Sequence, residues 1–200
     1  MFASLFGKSG QKNDFELSVE DKKQLLAISR GALELYISEN SFPKYKETDI
    51  NAANQNKVGA FVTLYKNDEL RGCIGHIESD NPLYKTIQSL TISSATKDYR
   101  FKSVHPDELP EIEIEISVLT PMKKISSIDQ IEIGRHGIYI KKGYQTGTFL
   151  PHVATKTDWT LEEFLGKCAR DKAHIGWDGW KDADLYTYEA LKFSESDFKS

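Results

Sequence analysis

The sequence predicts an α+β fold, and three observations carry that expectation. The run EIEIEISVLT alternates strictly, with Ile112, Ile114, Ile116 and Val118 on one face and Glu111, Glu113, Glu115 and Ser117 on the other. Two β-rich runs flank Asn67-Asp68 as a hairpin. Two stretches with helical apolar spacing open on capping-box patterns, Ser18 with Asp21 and Thr160 with Glu163. Hairpin-joined strands interspersed with helices favour α+β over a doubly wound parallel sheet.

In chain order, residues 1–16 mix Gly, Ser, Lys and Asn and read as a loose leader, and residues 17–196 as one folding unit. A helix is expected over residues 19–39, where Leu25, Leu26, Ile28, Leu33, Leu35, Tyr36 and Ile37 recur with near-helical spacing. A polar connector with Pro43 leads to the hairpin VGAFVTLYKNDELRGCIGHI. After Pro82, Leu83, Ile87, Leu90 and Ala95 predict a second helix ending near Arg100. Beyond the alternating strand come two shorter ones, GIYIKK and TGTFLPHV, separated by Gly143. A helix from Thr160 to about Arg170 and a last strand from Leu185 to Phe193 complete the reading.

Lys+Arg 26 against Asp+Glu 30 leaves a net charge of -4, which gives no general attraction for polyanions and makes nucleic acid an unfavoured partner. Cys73 and Cys168 are far apart and form neither a disulfide framework nor a CxxC zinc pair, so no metal site is assigned to them and a reducing, cytoplasmic setting fits. No apolar run is long enough to span a membrane. Phosphate-loop, dinucleotide, HExxH and GxSxG patterns are absent, so most common enzyme classes lose their sequence support and the cofactor is left unknown.

The densest chemistry lies in ELRGCIGHIE. Arg71 and Cys73 stand two apart, on one face of a regular strand, where the guanidinium would lower the thiol pKa. Gly72 and Gly75 would let the backbone bend and a ligand approach. The plainer alternative is a small buried cysteine. His76 points to the other face. Of the alternating glutamates, Glu115 lies deepest and is the one kept as an acid, base or metal candidate against a simple solvated face. In KDYRF, Asp98 and Arg100 read either as an anion clamp with its orienting carboxylate or as a structural pair. His152 is a lone titratable ring, and Trp177 with Trp180 reads as packing or as a partner groove.

Taken in order, LRGCIG (70–75), ATKDYRF (95–101), ELPEIEIEISVLTP (108–121), GRHGIYI (134–140) and GTFLPHV (147–153) resemble the AMMECR family, whose prokaryotic members are called AmmeMemoRadiSam system protein A. The resemblance runs from about residue 18 to 194. It implies an α+β domain of two unequal, intimately packed subdomains around a curved, barrel-like, mainly antiparallel sheet with flanking helices and a cleft between the subdomains. It marks Arg71, Gly72, Cys73 and Gly75, then Asp98, Arg100 and Phe101, then Glu115 and Ser117, and Gly147, Leu150 and Pro151. This chain departs from it at Tyr99, where proline is common, and at His152, where glutamine is common; an amide cannot replace a histidine as a base.

The resulting expectation is a domain that binds a small molecule or modified macromolecular end in the cleft around LRGCIG and aids a modification reaction with Memo-like and radical SAM partners. Cys73 and Glu115 would serve as catalytic groups, with Arg71, Gly72, Gly75, Asp98 and Arg100 as binding residues. The alternative is a non-catalytic adaptor docking on those partners through Arg71 and the Trp177-Trp180 region.

Overall fold

The computed structural model describes residues 15–199, so residues 1–14 of the expected leader lie outside the described residues. The elements are α1 (Val19–Glu39), β1 (Ala60–Lys66), β2 (Glu69–His76), α2 (Leu83–Thr96), β3 (Ile112–Leu119), β4 (Lys123–Lys124), β5 (Gly137–Lys142), β6 (Gln145–Phe149), α3 (Pro151–Thr157), α4 (Leu161–Asp171), β7 (Asp184–Tyr188) and β8 (Ala190–Ser194). Both expected capping boxes form, at Ser18 and at Thr160. The β1–β2 turn holds Asn67 and Asp68 at φ 50 and 64°, the double positive φ that a tight hairpin requires and that Asn and Asp tolerate.

The strands form two four-stranded antiparallel sheets, ordered β2-β1-β3-β8 and β4-β7-β5-β6. They are not closed into a barrel, which corrects the barrel-like expectation; each sheet keeps two edge strands. On the first sheet, Ala60, Val62, Leu64, Ile112, Ile114, Ile116 and Val118 turn one face to a core completed by Leu25, Leu33, Leu83, Ile87 and Leu90 of the two long helices. The second sheet has its own core, with Ile138, Ile140 and Phe149 against Phe164, Leu165 and Cys168.

Two expected strands are corrected. TGTFLPHV is strand only to Phe149, because Pro151 takes the first helical position of α3, where a missing N–H costs nothing. The run from Leu185 to Phe193 is two strands in different sheets, since the chain changes sheet at Glu189. The second helix also stops sooner than expected, at Thr96. Where the chain crosses between sheets it is clipped: Thr120 N–H donates to Glu189 O at 2.9 Å and Glu189 N–H to Thr120 Oγ1 at 2.8 Å.

Candidate functional site

LRGCIG occupies β2, an edge strand whose outward backbone groups need partners. The segment following α2 supplies them. Asp98, buried, accepts the Cys73 N–H at 2.8 Å and is gripped by Arg100 through Nε at 2.9 Å and Nη2 at 2.7 Å. Arg100 holds the Asp98 carboxyl well below the usual carboxylate range.

Arg71 goes elsewhere. A β-bulge leaves it as the extra residue of β2, because Leu64 pairs with Gly72 and Tyr65 with Leu70. Its guanidinium takes Glu108 Oε1 at 3.0 Å and Oε2 at 2.9 Å, and the carbonyls of Lys102 and Ser103 at 2.9 and 3.3 Å. Glu108 is lowered to about 2, chiefly by the Arg71 hydrogen bonds. Arg71 therefore straps the 98–108 segment to the sheet edge and is committed to that role.

The two glycines answer close protein contacts. A Cβ at residue 72 would lie 2.2 Å from the Ser94 carbonyl oxygen, and one at residue 75 would lie 2.1 Å from the Phe61 ring. Neither has positive φ. The Ser94 hydroxyl wedges between the paired strands, accepting from Ile74 N–H at 2.9 Å and donating to Val62 O at 2.7 Å. Gly72 thus makes room for α2, and Gly75 for an aromatic ring, which corrects the expectation of close ligand approach at these two positions.

The outward face of the first sheet carries the polar chemistry. The pairings Thr63 with Cys73, Thr63 with Glu115 and Glu115 with Ser194 align these residues in one cross-strand row. Thr63 Oγ1 donates to Cys73 Sγ at 3.2 Å. Glu115 bonds Lys192 Nζ at 2.7 Å and accepts from Tyr65 OH at 3.4 Å, with only 13% of its side chain exposed. Burial pushes the Cys73 thiol up; Thr63 and Arg100 oppose this, while Asp98 and Glu115 add to it. Arg71 is not among those influences, so the expected thiolate beside Arg71 does not form. Burial, with the charges of Lys156 and Lys192, pushes the His152 imidazole of α3 below its ordinary value, while Glu115 acts the other way.

Beside the row is a cleft of about 480 Å³ between the two sheets' lobes. Phe61 and Ile77 form one wall, and Tyr139, Phe149, Leu150, Val153 and Lys172 the other. Phe61 stands on the same strand face as Thr63, its neighbour two residues on. Cys73 lies in the adjacent row and is not part of the cleft wall.

A model of the AMMECR1 family matches residues 26–193. The chain belongs to the AMMECR1 family. The protein MK0488 of Methanopyrus kandleri is 38% identical over 193 residues, covering 91% of this chain and 92% of that one. A Methanosarcina mazei relative is 33% identical, covering 90% and 94%. The crystal structure of the uncharacterized protein PH0010 from Pyrococcus horikoshii has a TM-score of 0.81 at 31% identity and covers 90% of this chain and 93% of that one.

Within this AMMECR1-family fold, Cys73, Asp98 and Arg100 meet, and Glu115 shares the Cys73 row. Arg71 faces away toward Glu108. Glu111 and Glu113 take Lys66 and Lys199 as partners, and among the described residues no group of three or more His, Cys, Asp or Glu side chains could hold a metal. Trp180 is buried, and Trp177 lies against α4 where a Cβ at Gly166 would touch its ring at 2.5 Å, so this pair packs the second lobe. Sequence reasoning missed Phe61, Thr63, Tyr65, Lys172 and Lys192. Alternation in AFVTLYK signals a shared face for the first three, but Lys172 and Lys192 join the site only through tertiary packing and register.

Proposed function

We propose that this AMMECR1-family chain binds a small molecule, or the modified end of a macromolecule, in the cleft between its lobes, and presents it to the Glu115 row. The observation that carries this reading is a continuity of surface. Phe61 is at once a wall of the apolar cleft and a member of the strand face holding Thr63, Glu115 and their partners. An apolar cleft of this size with a few converging polar groups is the usual form of a ligand site. Glu115, paired with Lys192, can hydrogen-bond an occupant and exchange protons with it. Cys73 contributes as a protonated thiol rather than as a resting nucleophile.

Native mass spectrometry after incubation with a cytosolic metabolite extract tests this. A small molecule retained by the wild-type chain should be lost when Val153→Trp fills the cleft and weakened by Glu115→Gln. Retention undiminished in folded Val153→Trp would refute the site.

Docking on Memo-like and radical SAM partners is a second reading, favoured by the Tyr99 side chain, 96% exposed beside Arg100 on the strap. Exposed aromatics next to arginine suit an interface centre. Co-purification with those partners should fall in Tyr99→Ala and persist in Val153→Trp; unchanged recovery from Tyr99→Ala would remove this surface from consideration.

A further inference from the structure

We propose that the cleft takes an apolar anion: a molecule with an aliphatic or aromatic body bearing a carboxylate, sulfonate or phosphate. This rests on the cleft reading above and adds the chemical class of its occupant.

The wall residues Phe61, Ile77, Tyr139, Phe149, Leu150 and Val153 offer carbon surface, and among the described residues Lys172 is the one charged side chain that lines the cleft with them. Lys172 Nζ stands 5.7 Å from the centre of the Phe149 ring. Among the described residues no carboxylate lies within ion-pair distance of it, and its neighbour Asp171 is taken by Arg170, with Nε to Oδ1 at 2.5 Å and Nη2 to Oδ2 at 2.9 Å. Gly147 sets its position: a Cβ there would lie 2.9 Å from Lys172 Cβ and 2.5 Å from Ala173 N, so only glycine lets the end of α4 lie this close to β6.

Asp171 acts on the exposed Lys172 ammonium only at longer range, so an ammonium without an ion-pair partner beside carbon walls raises the affinity of the cleft for anions and lowers it for cations, and the effect grows as an occupant displaces water. The Glu115 carboxylate, on the strand face that Phe61 shares, is already neutralised by Lys192 at 2.7 Å. The apolar body is recognised by area and the anionic head by Lys172, so both features are required together.

The probes are anilinonaphthalene sulfonate, an apolar anion, and Nile red, a neutral dye of similar size, titrated by fluorescence against the folded full chain. The sulfonate should saturate one site and weaken with added salt. Lys172→Gln should weaken it about three- to fivefold, the scale of one solvent-screened charge contact, and change Nile red less than about twofold. Lys172→Arg should restore the sulfonate. Val153→Trp should abolish both probes, and Tyr139→Ala provides a second wall variant that should weaken both. Equal sulfonate affinity in wild type and Lys172→Gln, with both probes still lost in Val153→Trp, would overturn the anion inference and leave the cleft reading standing. Both probes unaffected by the wall variants, or neither binding at all, would overturn both.

Discussion

At the scale of single residues, the sulfur of Cys73 shows how a neighbour in sequence can differ from a neighbour in space. Arg71 is two positions away yet bonded to Glu108, whereas Arg100, far along the chain, is the cation acting on the thiol. Burial wins over that cation, so alkylation by iodoacetamide should titrate above the ordinary cysteine value of about 8.5. Arg100→Ala should raise the inflection further and Arg71→Ala should leave it in place; rapid alkylation at pH 7 would contradict the geometry. Asp98 belongs to the same cluster. Its folded-state pKa is depressed, so its stabilisation is complete above the unfolded value of about 3.9 and is lost as pH falls through the lower folded value. Asp98→Asn should cost about 1–3 kcal/mol in urea unfolding at pH 7, by weakening the hold on the Cys73 N–H and on Arg100. The difference from wild type should shrink in acid.

At the scale of elements, β2 and the strap after α2 are mutually dependent. The strand would expose its edge without Asp98, and the strap would have nothing to hold without the Arg71 bulge. The glycines of β2 belong to this packing, and they are separable. Gly75→Ala meets a side chain, the Phe61 ring, while Gly72→Ala meets the Ser94 backbone. Each should destabilise by about 1–3 kcal/mol. Phe61→Ala should recover much of the loss in Gly75→Ala and none of it in Gly72→Ala, measured as coupling in a double-mutant cycle. Equal coupling to both glycines would contradict the assigned contacts.

At the scale of the molecule, the second lobe is inserted between two strands of the first sheet, since β3 pairs with β8 across the whole of residues 120–189. We propose that the two lobes unfold together: melting the first sheet frees both ends of the insertion, and the Thr120–Glu189 clip joins the crossings. Calorimetry and circular dichroism should give one coincident transition. Two resolved transitions, with Trp177 and Trp180 fluorescence following only one of them, would show independent lobes.

Local pattern accounts for much of this. The strict alternation of EIEIEIS, the Asn67-Asp68 turn and the capping boxes at Ser18 and Thr160 each depend on backbone geometry within a few residues, and each is legible from residue order alone. So is the short list of chemistry-bearing segments, because a thiol, a carboxylate and a guanidinium are each recognisable from residue type alone. The assignments that failed depend on distant partners. Whether Gly72 faces a ligand or a helix depends on where α2 lies, and whether Arg71 sits beside Cys73 depends on a one-residue bulge that takes it out of the regular pairing and on the Glu108 that receives it. Lys172 and Lys192 reach the site from segments roughly a hundred residues downstream of β2. Sequence by itself determined the elements and the inventory of groups, because hydrogen bonding and side-chain periodicity act locally. Tertiary structure alone decided which groups face one another across the cleft, because strand register and sheet crossing are set by the packing of two separate cores.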